Sequence, residues 1–406
     1  MIGDLELPEV DFFGLDYQAD PLATCRAARE QAWAARTPLG PLVVTHADVN
    51  ELLRYPEEQM VEMDIATMLR PETEEELSTP PLEDWLAALR LFMGPDSQHV
   101  RLRKICSTLF RPSVVDGWRP VMREVAERLV DEFRHAGTCE FVAQFANLYP
   151  AHVFARIIGL PEAEVPAFAR WSGDIGLTFV RPLTPVRERA EAAIVGLFGY
   201  VEELIERRRS EPRGDLISRL LEIERAGGMS AAEVRGLGLA LIQAGHETTK
   251  SQLSFCVWEL TRHPDVWRRL ATEPESSLNI VNELMRLHPI IPEPGRQPAE
   301  DIVYRDIRIP AGTPLFLSAA AANRDPAVFD EPDRFDPDRP NAAKQLGFGA
   351  GPHYCLGANL ARAEMAEALP ILARAMPDLR LVAFREIEGQ HTIRRAESLL
   401  LAFDPS

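Results

Sequence analysis

Phe348-Gly349-Ala350-Gly351-Pro352-His353-Tyr354-Cys355-Leu356-Gly357 sets one thiol at the end of a glycine-punctuated turn, ahead of a run that predicts a helix from about Gly357. The glycines permit a tight turn. A helix N-terminus supplies partial positive charge and free backbone N–H groups, which lower the pKa of a thiol placed there, so Cys355 is expected to be anionic. On these residues alone it reads as a redox cysteine, a nucleophile, or a small buried residue at a glycine turn. No acid–base partner for a cysteine hydrolase follows from sequence order. The other cysteines, Cys25, Cys106, Cys139 and Cys256, are scattered without a C-x-x-C pair. That suggests neither a disulfide framework nor a thiolate zinc site, and their default reading is as small buried hydrophobes.

Outward from this turn, the chain ends in a predicted helix and a strand at Leu399-Leu400-Leu401. Before it, from Pro289, lie short strands broken by Pro and Gly (Ile302-Val303-Tyr304, Leu315-Phe316-Leu317), then a loop rich in Asp and Pro. The clearest helix follows Gly227-Gly228: Ser230 and Glu233 form a capping box, and the pattern runs to His263-Pro264. Roughly thirty-three residues at about 1.5 Å each make about 50 Å, enough to cross a domain. Its middle carries Gly245 and the polar run His246-Glu247-Thr248-Thr249, which helix propensity alone would not select. From Ser97 to Arg225 the apolar spacing is helical almost throughout, as in Val121, Val125, Leu129, Val130 and Phe133. Leu42 to Thr45 predicts a strand and Ala47 to Arg54 a helix, and the acidic stretch 57–84 reads as a partly irregular surface segment. No repeat or linker divides the sequence, so one domain over 1–406 is expected, mainly α with a smaller β region.

The 406 residues carry 44 basic and 62 acidic side chains, a net charge of −18, with 46% apolar residues. Such an acidic balance argues against nucleic acid as the main partner. No apolar run approaches the ~18 residues a membrane span needs, and the start lacks a basic region followed by an apolar stretch. The expectation is a soluble, cytoplasmic, monomeric protein bound neither to nucleic acid nor to a membrane.

The ten-residue turn matches every fixed position of F-G-x-G-x-H-x-C-x-G, and in this the chain resembles the cytochrome P-450 family. The resemblance implies a triangular prism of helices around haem b, with Cys355 the proximal thiolate ligand of the iron, whose electron donation favours O–O cleavage. Phe348 is then the aromatic beside the sulfur, and the backbone N–H groups after Cys355, Gly357 among them, moderate its donation. Glu283-Leu284-Met285-Arg286 is similar to the family's E-x-x-R, and Arg339 matches the arginine completing a structural triad that holds the cysteine loop. Ala244-Gly245-His246-Glu247-Thr248-Thr249 resembles A-G-x-[DE]-T beside the oxygen site. Small side chains at Ala244 and Gly245 would admit a flat cofactor and dioxygen. Thr248 would hydrogen-bond oxygen, Glu247 would relay protons from solvent, and His246 would face away. For an arbitrary helical Thr, a bond back to its own helix carbonyl is the ordinary fate. His99, Arg103, Arg296 and His353 match the family's propionate partners.

On the helix carrying His99 and Arg103, Arg101 and Lys104 fall on the opposite side and, with Arg111, form a basic patch. The resemblance implies that a small acidic ferredoxin or flavodoxin-like donor, with its own reductase, docks there. It also implies a substrate pocket drawn from Met63 to Phe92, Gly176 to Val180, Gln243, Ala244, Ile290, Ile291 and the region near Ile393. Those residues suit an apolar ligand, with Arg181 and Arg394 as optional anchors for a polar head. The function implied is insertion of one oxygen atom from dioxygen into a small, largely apolar molecule, by hydroxylation or epoxidation, in secondary metabolism or catabolism. Rival readings are a peroxide-driven or oxidative-coupling haem-thiolate enzyme and a non-catalytic haem-dependent ligand sensor. The intact Glu247-Thr248 pair disfavours both.

Overall fold

The computed structural model describes residues 1–12, 14, 17, 19–56, 58–63, 79–93, 97–180, 183–387 and 393–406. Its helices of eight residues or more are α1 (Pro21–Arg29), α2 (His46–Leu53), α3 (Pro80–Met93), α4 (Ser97–Leu109), α5 (Arg119–Asp131), α6 (Leu148–Ile158), α7 (Val165–Ile175), α8 (Arg187–Ser210), α9 (Leu216–Arg225), α10 (Ala231–Leu260), α11 (Pro264–Thr272), α12 (Ser277–Leu287) and α13 (Ala358–Ala375). The strands are β1 (Ala34–Ala35), β2 (Leu42–Val43), β3 (Met60–Glu62), β4 (Thr138–Glu140), β5 (Gly295–Pro298), β6 (Ile302–Tyr304), β7 (Ile307–Ile309), β8 (Leu315–Leu317), β9 (Arg380–Glu386) and β10 (Ala396–Ala402).

Helix α10 organises the helical part. Its capping box is formed as the sequence predicts: Ser230 Oγ accepts from Glu233 N–H (3.2 Å) and Glu233 Oε2 from Ser230 N–H (2.8 Å). The helix runs unbroken for 30 residues and ends at Leu260. Pro264 explains the early end, since it disfavours helical backbone at His263, which sits at φ −127°, ψ 67°. Helices α3, α6, α7, α8, α9, α12 and α13 all pack on it, so most of its length is buried, polar residues such as Gln243, Glu247 and Gln252 included. Its polar middle does not break it.

Gly245 has a different use from the one expected. A Cβ there would lie 2.8 Å from the ring of Phe154 on α6, so the missing side chain lets two buried helices meet. Gly245→Val should destabilise the fold by about 2 kcal/mol through overpacking against this ring. A lowered denaturant midpoint at unchanged slope checks this; an unchanged midpoint counts against it.

The β elements are short and non-local. One sheet has the order β1-β2-β8-β5-β3, a second β4-β10-β9, and β6-β7 form a hairpin. In the first, Glu62 of β3 stands opposite Arg296 of β5 in antiparallel register. In the second, Cys139 of β4 pairs with Leu401 of β10. A three-residue strand inside an otherwise helical block is stabilised by a partner more than 250 positions away, which local periodicity does not reveal. The other interruption is a π-helical turn over Val142–Ala146.

Candidate active site

Two glycines shape the loop that presents Cys355. Gly349 and Gly351 adopt φ of 70° and 68°, and a Cβ on Gly351 would sit 2.4 Å from the Leu53 carbonyl oxygen at the end of α2. The loop closes through Gly349 N–H to Leu346 O and Cys355 N–H to Phe348 O, each 2.9 Å. Gly357 is the N-cap of α13, and its N–H donates to the Cys355 sulfur. Arg362, two turns further along, was not among the expected residues. Its guanidinium lies 4.4 Å from the Phe348 ring centroid, and it donates to the Tyr354 hydroxyl (2.9 Å) and Asn282 Oδ1 (3.0 Å). The seven-residue spacing from Cys355 was the available signal.

The thiol itself departs from the expected low pKa. Burial pushes Cys355 above its ordinary range, against the opposing pull of the Gly357 N–H, Arg103 and Arg362. Bound to a metal, this sulfur would be anionic, because a coordinating thiol loses its proton outright. The expected propionate partners converge nearby. The rings of His99 and His353 stack at 4.5 Å and 10°. Burial, followed by the charges of Arg296, His99 and Arg103, pushes His353 down to about 3. Cationic and imidazole donors drawn together in a buried place suit anionic groups such as the two propionates of haem. On α10, Ala244 is exposed and Thr248 half-buried, while Gln243, His246, Glu247 and Thr249 on either side are buried. A small-residue face open in the middle of a buried helix accommodates a flat group.

The triad is present and dry. Glu283 Oε2 and Oε1 accept from Arg286 Nε and Nη2 at 2.7 and 2.8 Å, and from Arg339 Nε at 3.1 and 3.0 Å. None of the three is more than 3% exposed. Arg286 also donates to the carbonyls of Asn323 (2.8 Å) and Pro332 (2.6 Å). Asn323 Oδ1 in turn accepts from Leu346 N–H at 2.7 Å. A chain of three links thus joins Glu283 to the loop that carries Cys355.

Glu247 is not open to solvent, as its expected relay role requires. It is 3% exposed and held by Arg395 Nε (2.6 Å) and Lys250 Nζ (3.2 Å). Burial opposes ionisation, but Lys250, Arg395 and His246 together hold the carboxylate below its usual range. Arg395 also donates to the Gly173 carbonyl (3.1 Å), tying α10 to the end of α7. Neither partner belongs to the expected set. Lys250 is legible at i+3, whereas Arg395 arrives from the far end of the chain. Thr248 Oγ1 donates back to the Ala244 carbonyl at 2.6 Å, the ordinary fate of a helical threonine. His246 is buried, its Nε2 2.8 Å from the Asn147 carbonyl oxygen.

Other expectations are corrected. Arg101 is exposed as expected, but its charge is already met: it pairs with Glu233 and donates to the Gly228 carbonyl, because the capping box places a carboxylate within its reach. Lys104 and Arg111 remain exposed. Arg394 pairs with Glu386 at 2.9 Å and stacks on Phe255. Gln243 is buried and accepts from Ser172 Oγ (3.2 Å). Ile290 is buried, its carbonyl taking the Arg394 N–H, and Ile291 and Ile393 are half-buried. Residues 64–78, Arg181 and the Phe92 side chain lie outside the described residues. Among the described residues no helix is long and apolar enough to cross a membrane.

The comparisons with known proteins agree with this geometry. The cytochrome P-450 family model matches residues 176–374. Luteothin monooxygenase of Streptomyces thioluteus is 32% identical over 396 residues, covering 96% of this chain and 93% of that protein. Mycinamicin IV hydroxylase/epoxidase of Micromonospora griseorubida is 38% identical over 296 residues, 72% of this chain and 73% of that one. The crystal structure of CalO2 superposes with a TM-score of 0.85 at 29% identity, over 98% of this chain and 100% of the other. A cysteine loop, a triad and an open-faced long helix, joined to full-length relatives of this kind, establish that the chain belongs to the cytochrome P-450 family of haem-thiolate monooxygenases.

Proposed function

We propose that this chain binds haem b through Cys355 and inserts one oxygen atom from dioxygen into a small, largely apolar organic molecule, by hydroxylation or epoxidation. The observation that carries the reading is the accessible face of Ala244 and Thr248 within a helix otherwise buried on both sides of them. Haem supplies the reductive activation of dioxygen. The chain supplies the rest. Cys355 would ligate the metal, with Phe348 and Arg362 packed beside it and the Gly357 N–H tempering its charge. His99, Arg103, Arg296 and His353 would hold the propionates. Gln243, Ile290, Ile291 and Ile393 would line the substrate space and exclude water. Glu247 would hold a proton only when Arg395 or Lys250 releases it, and Thr248 Oγ1 would pass that proton on. Electrons would come from a separate ferredoxin or flavodoxin-like protein and its reductase, docked near Lys104, Arg111 and Arg362. The setting is cytoplasmic and the protein a monomer. The relative named for hydroxylation and epoxidation of mycinamicin IV supports this choice of reaction.

Incubation under labelled dioxygen with a surrogate ferredoxin and reductase tests the reading. One labelled oxygen atom in the product is expected. Electron consumption that depends on ligand but never yields labelled product would overturn it. Within this reading, Thr248→Ala should lower product formed per NADPH severalfold and raise peroxide release. Because among the described residues its hydroxyl bonds only within its own helix, stability should change by less than about 1 kcal/mol. Unchanged coupling would remove Thr248 from proton handling.

A further inference from the structure

Glu62 is absent from every expected set of site residues, yet it stands among the propionate partners. It closes β3 directly opposite Arg296. Its Oε1 lies 3.0 Å from Arg296 Nη1 and 3.5 Å from His353 Nδ1. The side chains are sequestered, with Glu62 14%, Arg296 5% and His353 6% exposed. Two of the four groups assigned to the haem propionates therefore already face a carboxylate supplied by the chain.

The geometry leaves room for sharing. Arg296 Nη1 serves Glu62 and also donates to the Gly295 carbonyl at 2.9 Å. Nε and Nη2 of the same fork meet no other acceptor among the described residues, so a guanidinium with five donors can hold a second anion on its remaining edge. Strand pairing fixes Glu62 here: a slip by one residue would turn its side chain to the opposite face of the sheet. Two carboxylates on one buried guanidinium repel each other.

We infer that Glu62 is an internal carboxylate that shares Arg296 and His353 with a haem propionate, loosening the grip on haem and opposing reduction of its iron by adding negative charge nearby. This rests on the haem reading above. The alternative is a strut that merely keeps Arg296 in place.

The test uses the full-length holoprotein and the variants Glu62→Gln and Glu62→Asp. Haem transfer to excess apomyoglobin and the ferrous-to-ferric ratio at one fixed potential are the measurements. For Glu62→Gln, transfer should slow by about threefold or more and the ferrous-to-ferric ratio should rise by about twofold or more. Glu62→Asp, which keeps the charge, should stay near wild type in both. Any other combination overturns the inference, and faster haem loss from Glu62→Gln would identify the strut. A wild-type protein without a thiolate-haem spectrum would overturn the haem reading itself, whereas a normal spectrum with unresponsive variants would remove Glu62 alone.

Discussion

Cys355→His should give a protein that folds and still takes up haem, yet inserts oxygen about a thousandfold more slowly or worse, equivalent to about 4 kcal/mol of barrier. The loop around position 355 is held by its own backbone hydrogen bonds and by two glycines in left-handed conformation. Cofactor retention should survive because the stacked histidines and Arg296 lie outside the substitution. What disappears is the anionic sulfur, whose donation favours O–O cleavage and which a neutral imidazole does not replace. The reduced carbonyl adduct should change from a thiolate-type spectrum to that of a histidine-bound globin. Product formation with surrogate electron donors should fall in parallel. Wild-type turnover by the variant would mean that sulfur ligation is not what drives the reaction. Loss of haem uptake would show that the sulfur, and not the cationic cluster, dominates cofactor retention.

The parts of this arrangement that were legible in the sequence are those written in local spacing. The capping box at Ser230 and Glu233, the i,i+3 pair of Glu283 and Arg286, and the glycines around Cys355 each express their geometry within a few residues. Such spacing constrains the backbone and needs no knowledge of the rest of the fold. What local spacing lacks is any sign of what comes from elsewhere. Arg395 reaches Glu247 from 148 positions away, and Phe154 takes the space at Gly245 from a helix that sequence order does not place beside it. The pKa of Cys355 departs from expectation for the same reason: the helix N-terminus is local, but the burial that outweighs it is tertiary. Arg101 faces solvent on a helical wheel, and only packing against the start of α10 brings it to Glu233.

Glu283→Ala should lower stability by about 3–5 kcal/mol, the range for breaking a buried ion pair from one side. That is a large share of the roughly 5–15 kcal/mol that a folded domain has in total. The reason lies in what would be left behind. Arg286 is fully buried and Arg339 nearly so, and without the carboxylate their guanidinium groups would face one another with only backbone carbonyls to compensate. The damage should not stay local. Asp336 N–H also donates to Glu283 Oε1 at 3.0 Å, so the segment carrying Arg339 would lose an anchor. The link through Asn323 to Leu346 would slacken where the cysteine loop begins. Haem content should therefore fall together with the denaturant midpoint. Arg339→Lys keeps the charge but cannot reproduce the forked donation to Glu283 and the Asp330 carbonyl, so a smaller loss of about 1–2 kcal/mol is expected. The order of the two variants is the discriminating result. If Glu283→Ala unfolds at the wild-type midpoint, the triad is not what holds the cysteine loop. If Arg339→Lys is as damaging as Glu283→Ala, fork geometry matters more than charge compensation. Haem loss confined to Glu283→Ala would place the dependence in the link through Arg286 and Asn323, which Arg339 does not join.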